Sequence, residues 1–184
     1  MAQTEQSPRA GQDPRAGLQV GSRTAFTFFC NVLPGHEKTL REYYIASQGS
    51  PDTAGALEEI GTLHEFRWVM FNNDRRVFFA SSFDGTFDKY IQDFASTRIG
   101  VMIDEALQHV EGWIGITDPG AVEWFLDHAI PAVAYNASYP EPSVKQVWKA
   151  LAVQDAFEQV LDDPGAAEAL QQPALRPLLE QAAD

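Results

Sequence analysis

The chain has 184 residues, 45% of them hydrophobic and 11% aromatic, which is enough for one domain with extensions. Its formal net charge of −13 repels nucleic-acid phosphates and anionic membrane surfaces, so neither is an expected partner. Cys30 is the only cysteine, which excludes an intramolecular disulfide and a cysteine-based zinc site.

The first predicted element is a disordered tail, residues 1–22, rich in Gln, Pro, Gly, Arg and Ala. Such a composition buries too little apolar surface to offset its ordering entropy. The tail has no apolar core of a secretory signal, and no run approaches the roughly 18 apolar residues of a membrane-spanning helix. We therefore expect a soluble, cytoplasmic, acidic protein.

Residues 23–117 are predicted to form one α+β domain. The run AFTFFCNV favours a strand, LPG a turn, and HEKTLREYYIAS has helical spacing. Asn and Asp in NNDR favour a tight hairpin loop between two strands. The predicted elements, in chain order, are a strand at 25–32, a helix at 36–47, a loop at 49–55, strands at 63–71 and 76–83, helical residues at 84–110 and a strand at 112–117.

The order strand, helix, strand, strand, helix, strand is that of the ferredoxin-like βαββαβ arrangement. It predicts an antiparallel sheet with helices on one face. If a second copy covers the other face, two sheets close into a dimeric α+β barrel with a cavity in each half. A homodimer with a small-molecule ligand is therefore the expected assembly.

Residues 118–163 are predicted to be a C-terminal helical extension packed on this domain, and residues 164–184 a loosely ordered tail. PGAVEWFLDHAI is a short helix and PAVAYNASYPEP is extended and bounded by prolines. Residues 143–163 form an amphipathic helix with Ser143 as its cap. Its predicted buried residues are Val144, Val147, Trp148, Leu151 and Phe157.

The stretch LHEFRWVMFNNDRRVFFASSFDG places charged residues among aromatic ones. Because strand residues alternate between two faces, each face carries large apolar side chains, and both faces are expected to be covered. One face holds His64, Phe66, Trp68 and Met70, and the other holds Leu63, Glu65, Arg67, Val69 and Phe71.

Three polar side chains are candidate catalytic residues. His64 suits a metal or heme ligand or a general base, or else a strand-end histidine bonded to backbone. Arg67 suits a carboxylate clamp, or else an ion pair with Glu65 or with an acid on a neighbouring strand. His109 suits an axial ligand in a cavity, or else a cation that the helix dipole favours at the C-terminal end of a helix.

The remaining histidines and the cysteine are predicted to be structural. His36 and His128 are expected on helix surfaces, and no HxxxH or HExxH spacing supports a metal site made by protein alone. Cys30 is expected to be a small buried hydrophobe rather than a nucleophile.

The blocks FCNVLPGHEKTLREYY, LHEFRWVMFNNDRRVFFASSFDGTFDKYIQDFA and HVEGWIG resemble a bacterial family of dimeric α+β barrel proteins with a ferredoxin-like fold. The resemblance covers about residues 24–160. At the level of fold, that family is similar to the heme-binding chlorite dismutase-like and dye-decolorising peroxidase barrels, and to small antibiotic-biosynthesis monooxygenases. The matched polar positions are His64, Arg67, Asp84, His109 and Glu111.

This resemblance implies an oxidoreductase, monooxygenase or heme-dependent, that acts on a small organic substrate inside the barrel. His109 would be the heme ligand, with Glu111 as its outer partner, and Arg67 would orient substrate. The chain lacks the distal GxxDG segment of the heme peroxidases. The aromatic residues expected to contact substrate are Phe66, Trp68, Phe79 and Trp113.

Two other functions suit the same barrel. A non-enzymatic protein would hold an apolar ligand in the aromatic cavity or dock a partner. A cofactor-independent cyclase or lyase would use one histidine–acid pair. The sequence leaves these alternatives open.

Overall fold

The computed structural model describes residues 13–182 of the chain. After Val144 the chain divides into two compact units. Within the described residues, no helix is both long enough and apolar enough to cross a bilayer.

The first unit is built on a four-stranded antiparallel sheet with the strand order β1-β2-β4-β3. On β2, every second residue from Thr24 to Cys30 is buried, as the pleat of a half-covered strand requires. One face of the sheet therefore belongs to the core. The strands are β1 (Leu18–Val20), β2 (Arg23–Asn31), β3 (Leu63–Phe71) and β4 (Arg76–Asp84).

Five helices of this unit supply the other half of the core. Phe87 packs on Phe26 with ring centroids 4.6 Å apart, and Tyr90 stacks on Phe83 at 3.7 Å. This confirms the α+β class with an antiparallel sheet. The helices are α1 (Glu37–Ser47), α2 (Pro51–Ile60), α3 (Phe87–Ser96), α4 (Arg98–Leu107) and α5 (Ala121–His128).

The hairpin between β3 and β4 is the most accurately predicted part of the sheet. Asn72, Asn73 and Asp74 have φ angles of 55°, 55° and 62°, so the predicted NNDR loop is confirmed. Asn and Asp tolerate the left-handed region better than other non-glycine residues, which explains the composition of the loop. Asp74 is held further by a bidentate ion pair with Arg41.

The predicted fourth strand, residues 112–117, is wrong: these residues form turns and irregular structure. Gly112 and Gly115 have φ angles of 72° and 98°, which no extended strand contains. The fourth strand of the sheet is instead β1, which lies in the tail predicted to be disordered, residues 1–22. Residues 1–12 of that tail lie outside the described residues.

Three short segments share the outer edge of β2. β1 pairs along the first residues of β2, Ala129 bridges to Phe28, and Val110 bridges to Val32. The edge that a single fourth strand would occupy is therefore covered piece by piece.

The second unit is helical. Its helices are α6 (Val144–Asp162), whose first residue, Val144, is the last residue of the first unit, α7 (Ala167–Leu170) and α8 (Arg176–Ala182). The predicted helix at 143–163 is confirmed by α6. Of the predicted buried residues of α6, Val144 is buried, whereas Trp148 and Leu151 are 40% and 53% exposed. The predicted tail at 164–184 contains α7 and α8, and its last two residues lie outside the described part.

Candidate functional site

The sheet face opposite the helices has a floor of small side chains near its centre. Direct cross-strand pairing across β2, β4 and β3 aligns residues into rows on this face. One row contains Ala25, Ser82 and Glu65, and the next contains Thr27, Ala80 and Arg67.

An irregular segment, residues 129–143, crosses this floor, and we call it the strap. Its first part is fixed by the N–H of Ile130, which donates to the carbonyl of Thr27 at 2.8 Å. Its middle is fixed by the Tyr135 hydroxyl, 2.9 Å from Ser82 Oγ. Near its end, the carbonyl of Pro140 accepts a 3.0 Å hydrogen bond from the N–H of Ser22. This segment was predicted to be extended, but residues 131–143 are irregular, with bends at Val133, Ser138, Tyr139 and Glu141.

The strap and the floor enclose a cavity of about 260 Å³, the strap cavity. Ala132 and Ala134 line it from above, while Val133, at a bend between them, is fully exposed. Small side chains above and below leave the space open. The polar groups around it are Thr27, Glu65, Arg67, Ser82 and Tyr135.

Glu65 and Arg67 are the charged residues of the cavity, and both are exposed. Within residues 13–182 neither side chain forms an ion pair or a hydrogen bond, so the predicted alternative in which Arg67 pairs with Glu65 or with an acid on a neighbouring strand is not formed. The Arg67 guanidinium lies 6.0 Å from the centroid of the Phe78 ring, a contact that leaves its donor edge available.

His64 lies beside the strap cavity rather than in it. A register shift between Leu63 and Glu65 puts these two residues on opposite faces, which corrects the prediction that they share one. His64 Nε2 is 2.8 Å from Asp84 Oδ1, and the other oxygen of Asp84 accepts from the N–H of Val144 at 2.8 Å. The histidine is thus bound to a carboxylate, not to backbone.

His109 lies at the other end of the sheet. Its Nδ1 is 2.9 Å from Nδ1 of His36, and both rings are half-buried, although His36 was predicted on a helix surface. Burial, and secondarily the charge of His36, lower the pKa of His109. This shift favours the neutral imidazole.

The two candidate histidines do not share a site. The carbonyl of His109 accepts a hydrogen bond from the N–H of Leu33, just past the end of β2. His64 is bound to Asp84, which pairs with Arg23 at the start of β2. Ten residues of extended chain separate these two points, roughly 30 Å. His64, Arg67 and His109 therefore do not form one catalytic group.

The aromatic residues predicted to contact substrate lie mainly in the core. Phe66, Trp68 and Phe79 surround a cavity of about 30 Å³ on the helix side, room for about one or two water molecules. Phe66 also reaches the strap cavity. Trp113 donates from Nε1 to Asp104 at 3.0 Å and packs edge-on against Trp124.

Neither of the two cavities described above presents a histidine to a heme. A heme needs an axial ligand that faces a cavity of its own size, and no histidine lines either cavity described above. Even the larger cavity is below the roughly 300–1,000 Å³ of sites for drug-sized ligands. Heme binding at His109 thus stays a prediction of the resemblance alone. In the described part of the chain, no three His, Cys, Asp or Glu side chains cluster to hold a metal ion.

Cys30 is a buried hydrophobic residue, as predicted. It is buried on the core face of β2, and burial raises the pKa of its thiol to about 12. The nucleophilic thiolate is therefore almost absent at neutral pH.

Sequence reasoning missed the hydroxyls of the strap cavity, Ser82 and Tyr135. The small residues Ala80 and Ser82, two positions apart on β4, were a usable signal for the floor, because large side chains would have filled the space. The strap could not be placed, because its contact with the sheet depends on pairing between distant residues. No protein-family model matches the chain, and no curated protein matches it significantly.

Proposed function

We propose that the chain binds a small polar organic molecule in the strap cavity of a ferredoxin-like α+β domain. The observation that carries the proposal is the convergence of Glu65, Arg67, Ser82 and Tyr135 on one concave space of about 260 Å³. Ligand sites are typically concave, with a few placed polar groups on an otherwise apolar lining. Ala25 and Ala80 supply that lining here.

The same groups would support acid–base chemistry without a cofactor. Arg67 has a planar fork that suits a carboxylate, Glu65 can accept a proton, and the Tyr135 hydroxyl can donate a hydrogen bond. This donor set favours ligand binding or a cofactor-independent reaction. The oxidoreductase function implied by the resemblance stays a prediction, because no residue of the cavity specifically favours it.

The test of the binding site compares two arginines on the same sheet face. Arg67 lines the cavity, whereas Arg76 lies over Phe29 at 5.8 Å and does not line it. Ligand-observed NMR against a library of small organic acids, amines and alcohols should give hits that Arg67→Ala abolishes and Arg76→Ala retains. An absence of hits, or hits that both variants retain, would contradict the proposal.

The proposal includes a homodimer of the dimeric α+β barrel type. Beyond the cavity, the same sheet face continues into an apolar patch: Val69 and Phe71 are 43% and 39% exposed, and Phe29 and Phe78 are half-buried beside them. A second sheet packed on this patch would bury it and enlarge the space beside Arg67. This geometry supports the dimer predicted from the sequence.

The dimer is tested by placing a charge on the patch. Val69→Glu should convert a dimer into a monomer in sedimentation velocity, because the carboxylate would lose its hydration in the interface. Val101→Glu is the matched control, since Val101 is 60% exposed on α4. A monomeric wild-type protein would refute the dimer and leave the ligand site standing.

A further inference from the structure

The strap cavity presents one negative and one positive side chain as near neighbours. Glu65 and Arg67 are two residues apart on β3 and point to the same face, so their Cα atoms are about 7 Å apart. Within residues 13–182 neither side chain forms an ion pair or a hydrogen bond, with the other or with a third group, and Arg67 keeps only its contact with the Phe78 ring. Two opposite charges held close together without neutralising each other suit a ligand that carries both signs.

Ser82 and Tyr135 add a pair of hydroxyl groups to one side of the cavity. Ser82 is paired across the strands with Glu65, and its hydroxyl is 2.9 Å from that of Tyr135. In a pair of hydroxyls, one donates to the other, which leaves the second free to donate to an acceptor in the cavity. The hydroxyl pair therefore lies at the Glu65 row, one row away from the guanidinium.

The charge of the whole chain restricts the ligand further. At a net charge of −13, the protein repels small anions, and this repulsion works against a simple carboxylate that approaches Arg67. A zwitterion has no net charge and escapes this penalty. The size of the cavity, below that of drug-sized sites, limits the ligand to a small molecule.

We infer that the strap cavity binds a small zwitterion of the amino-acid class, with its carboxylate on Arg67 and its ammonium group on Glu65. This inference rests on the proposed ligand-binding function and adds the class of ligand. The floor residues Ala25 and Ala80, and Ala132 and Ala134 of the strap, leave room for the side chain of the bound molecule.

The experiment uses matched probes on the full-length protein. Each of the twenty common amino acids is titrated by isothermal calorimetry. Each amino acid that binds is compared with the carboxylic acid that lacks its ammonium group and with the amine that lacks its carboxylate. Because each charge-assisted contact is lost in one analogue, both analogues should bind at least about tenfold more weakly.

The variants assign the two contacts. Glu65→Gln should weaken binding of the amino acid at least about tenfold and should not weaken binding of the carboxylic acid, because the substitution removes a negative charge near Arg67. Arg67→Lys should weaken both, because lysine loses the planar fork. Arg76→Ala should change neither, and thermal melts of all variants control for folding.

The outcomes separate the inference from the function on which it rests. If carboxylic acids bind as tightly as amino acids and binding depends on Arg67, the zwitterion is wrong and the ligand site stands. Equal binding of the amino acid to Glu65→Gln and wild type would also overturn the inference. If no probe binds in an Arg67-dependent way, both the inference and the proposed site fail.

Discussion

The carboxylate of Asp84 joins three parts of the first unit. One oxygen contacts His64 of β3, the other accepts from the N–H of Val144, the residue after the strap and the last of the first unit, and Asp84 itself closes β4. Its side chain is only 15% exposed, so little water replaces these partners when one is removed. Asp84 thus fixes the end of the strap beside the candidate site.

Replacing Asp84 by alanine should lower the free energy of unfolding by about 2–4 kcal/mol. The change removes two hydrogen bonds from a charged acceptor and leaves partly buried donors unsatisfied. Urea unfolding measures it. Glu58→Ala, at an exposed position of α2, is the control and should stay within about 0.5 kcal/mol of wild type. An equally small effect for Asp84→Ala would show that the strap end is held by other contacts.

The contact between His36 and His109 predicts a dependence of stability on pH. The pKa of His109 is lowered in the folded protein, so the unfolded chain binds a proton that the folded chain does not. The stabilisation is fully present above the ordinary histidine pKa of about 6.5 and is lost as the pH falls through the lowered value. His109→Gln should therefore flatten the fall of Tm below neutral pH. A variant with the same pH profile as wild type would contradict this assignment.

At the scale of elements, the β3–β4 hairpin could be predicted from the sequence, whereas the segments that cover the edge of the sheet could not. The loop at 72–75 combines residues that tolerate positive φ, so β3 and β4 were predicted almost to the residue. The helix α2 was predicted as part of a loop. Ser50 as N-cap, with Pro51 in the first turn, was the overlooked signal.

The candidate site was predictable only in part, for a related reason. Arg67 was identified because alternation put it with charged and apolar neighbours on one face. The environment of His64 was not, because one extra residue in β3 breaks the alternation and turns the ring toward Asp84. Bulges leave no clear mark in composition, so strict period-2 reasoning fails at them.

The hairpin loop predicts opposite effects for two substitutions at one position. Asn73 has a φ of 55°, so Asn73→Ala should destabilise the protein by about 1 kcal/mol, whereas Asn73→Gly should be neutral or stabilising. Thermal unfolding of the two variants under identical conditions measures the difference. If alanine and glycine gave equal stability, the backbone at residue 73 would have to be in the right-handed region.

At the scale of the whole molecule, charge governs stability as well as ligand choice. A net charge of −13 stores self-repulsion in the compact state, which salt screens. Tm at pH 7 should therefore rise between low salt and about 0.15 M NaCl, near the ionic strength at which the Debye length is about 8 Å. The rise should vanish near the pI of about 4.6. A Tm at pH 7 that falls with salt would show that specific ion pairs outweigh the net repulsion.

The divided edge of β2 has a consequence for biosynthesis. β2 contains three phenylalanines, and the bridges that close its edge come from Val110 and Ala129, roughly 80 and 100 residues downstream. A ribosome takes on the order of ten seconds to add that length of chain. Throughout that interval the outer edge of β2 beyond its pairing with β1 stays open, and an open strand edge can template aggregation. Truncations that end before Ala129 should accumulate in inclusion bodies.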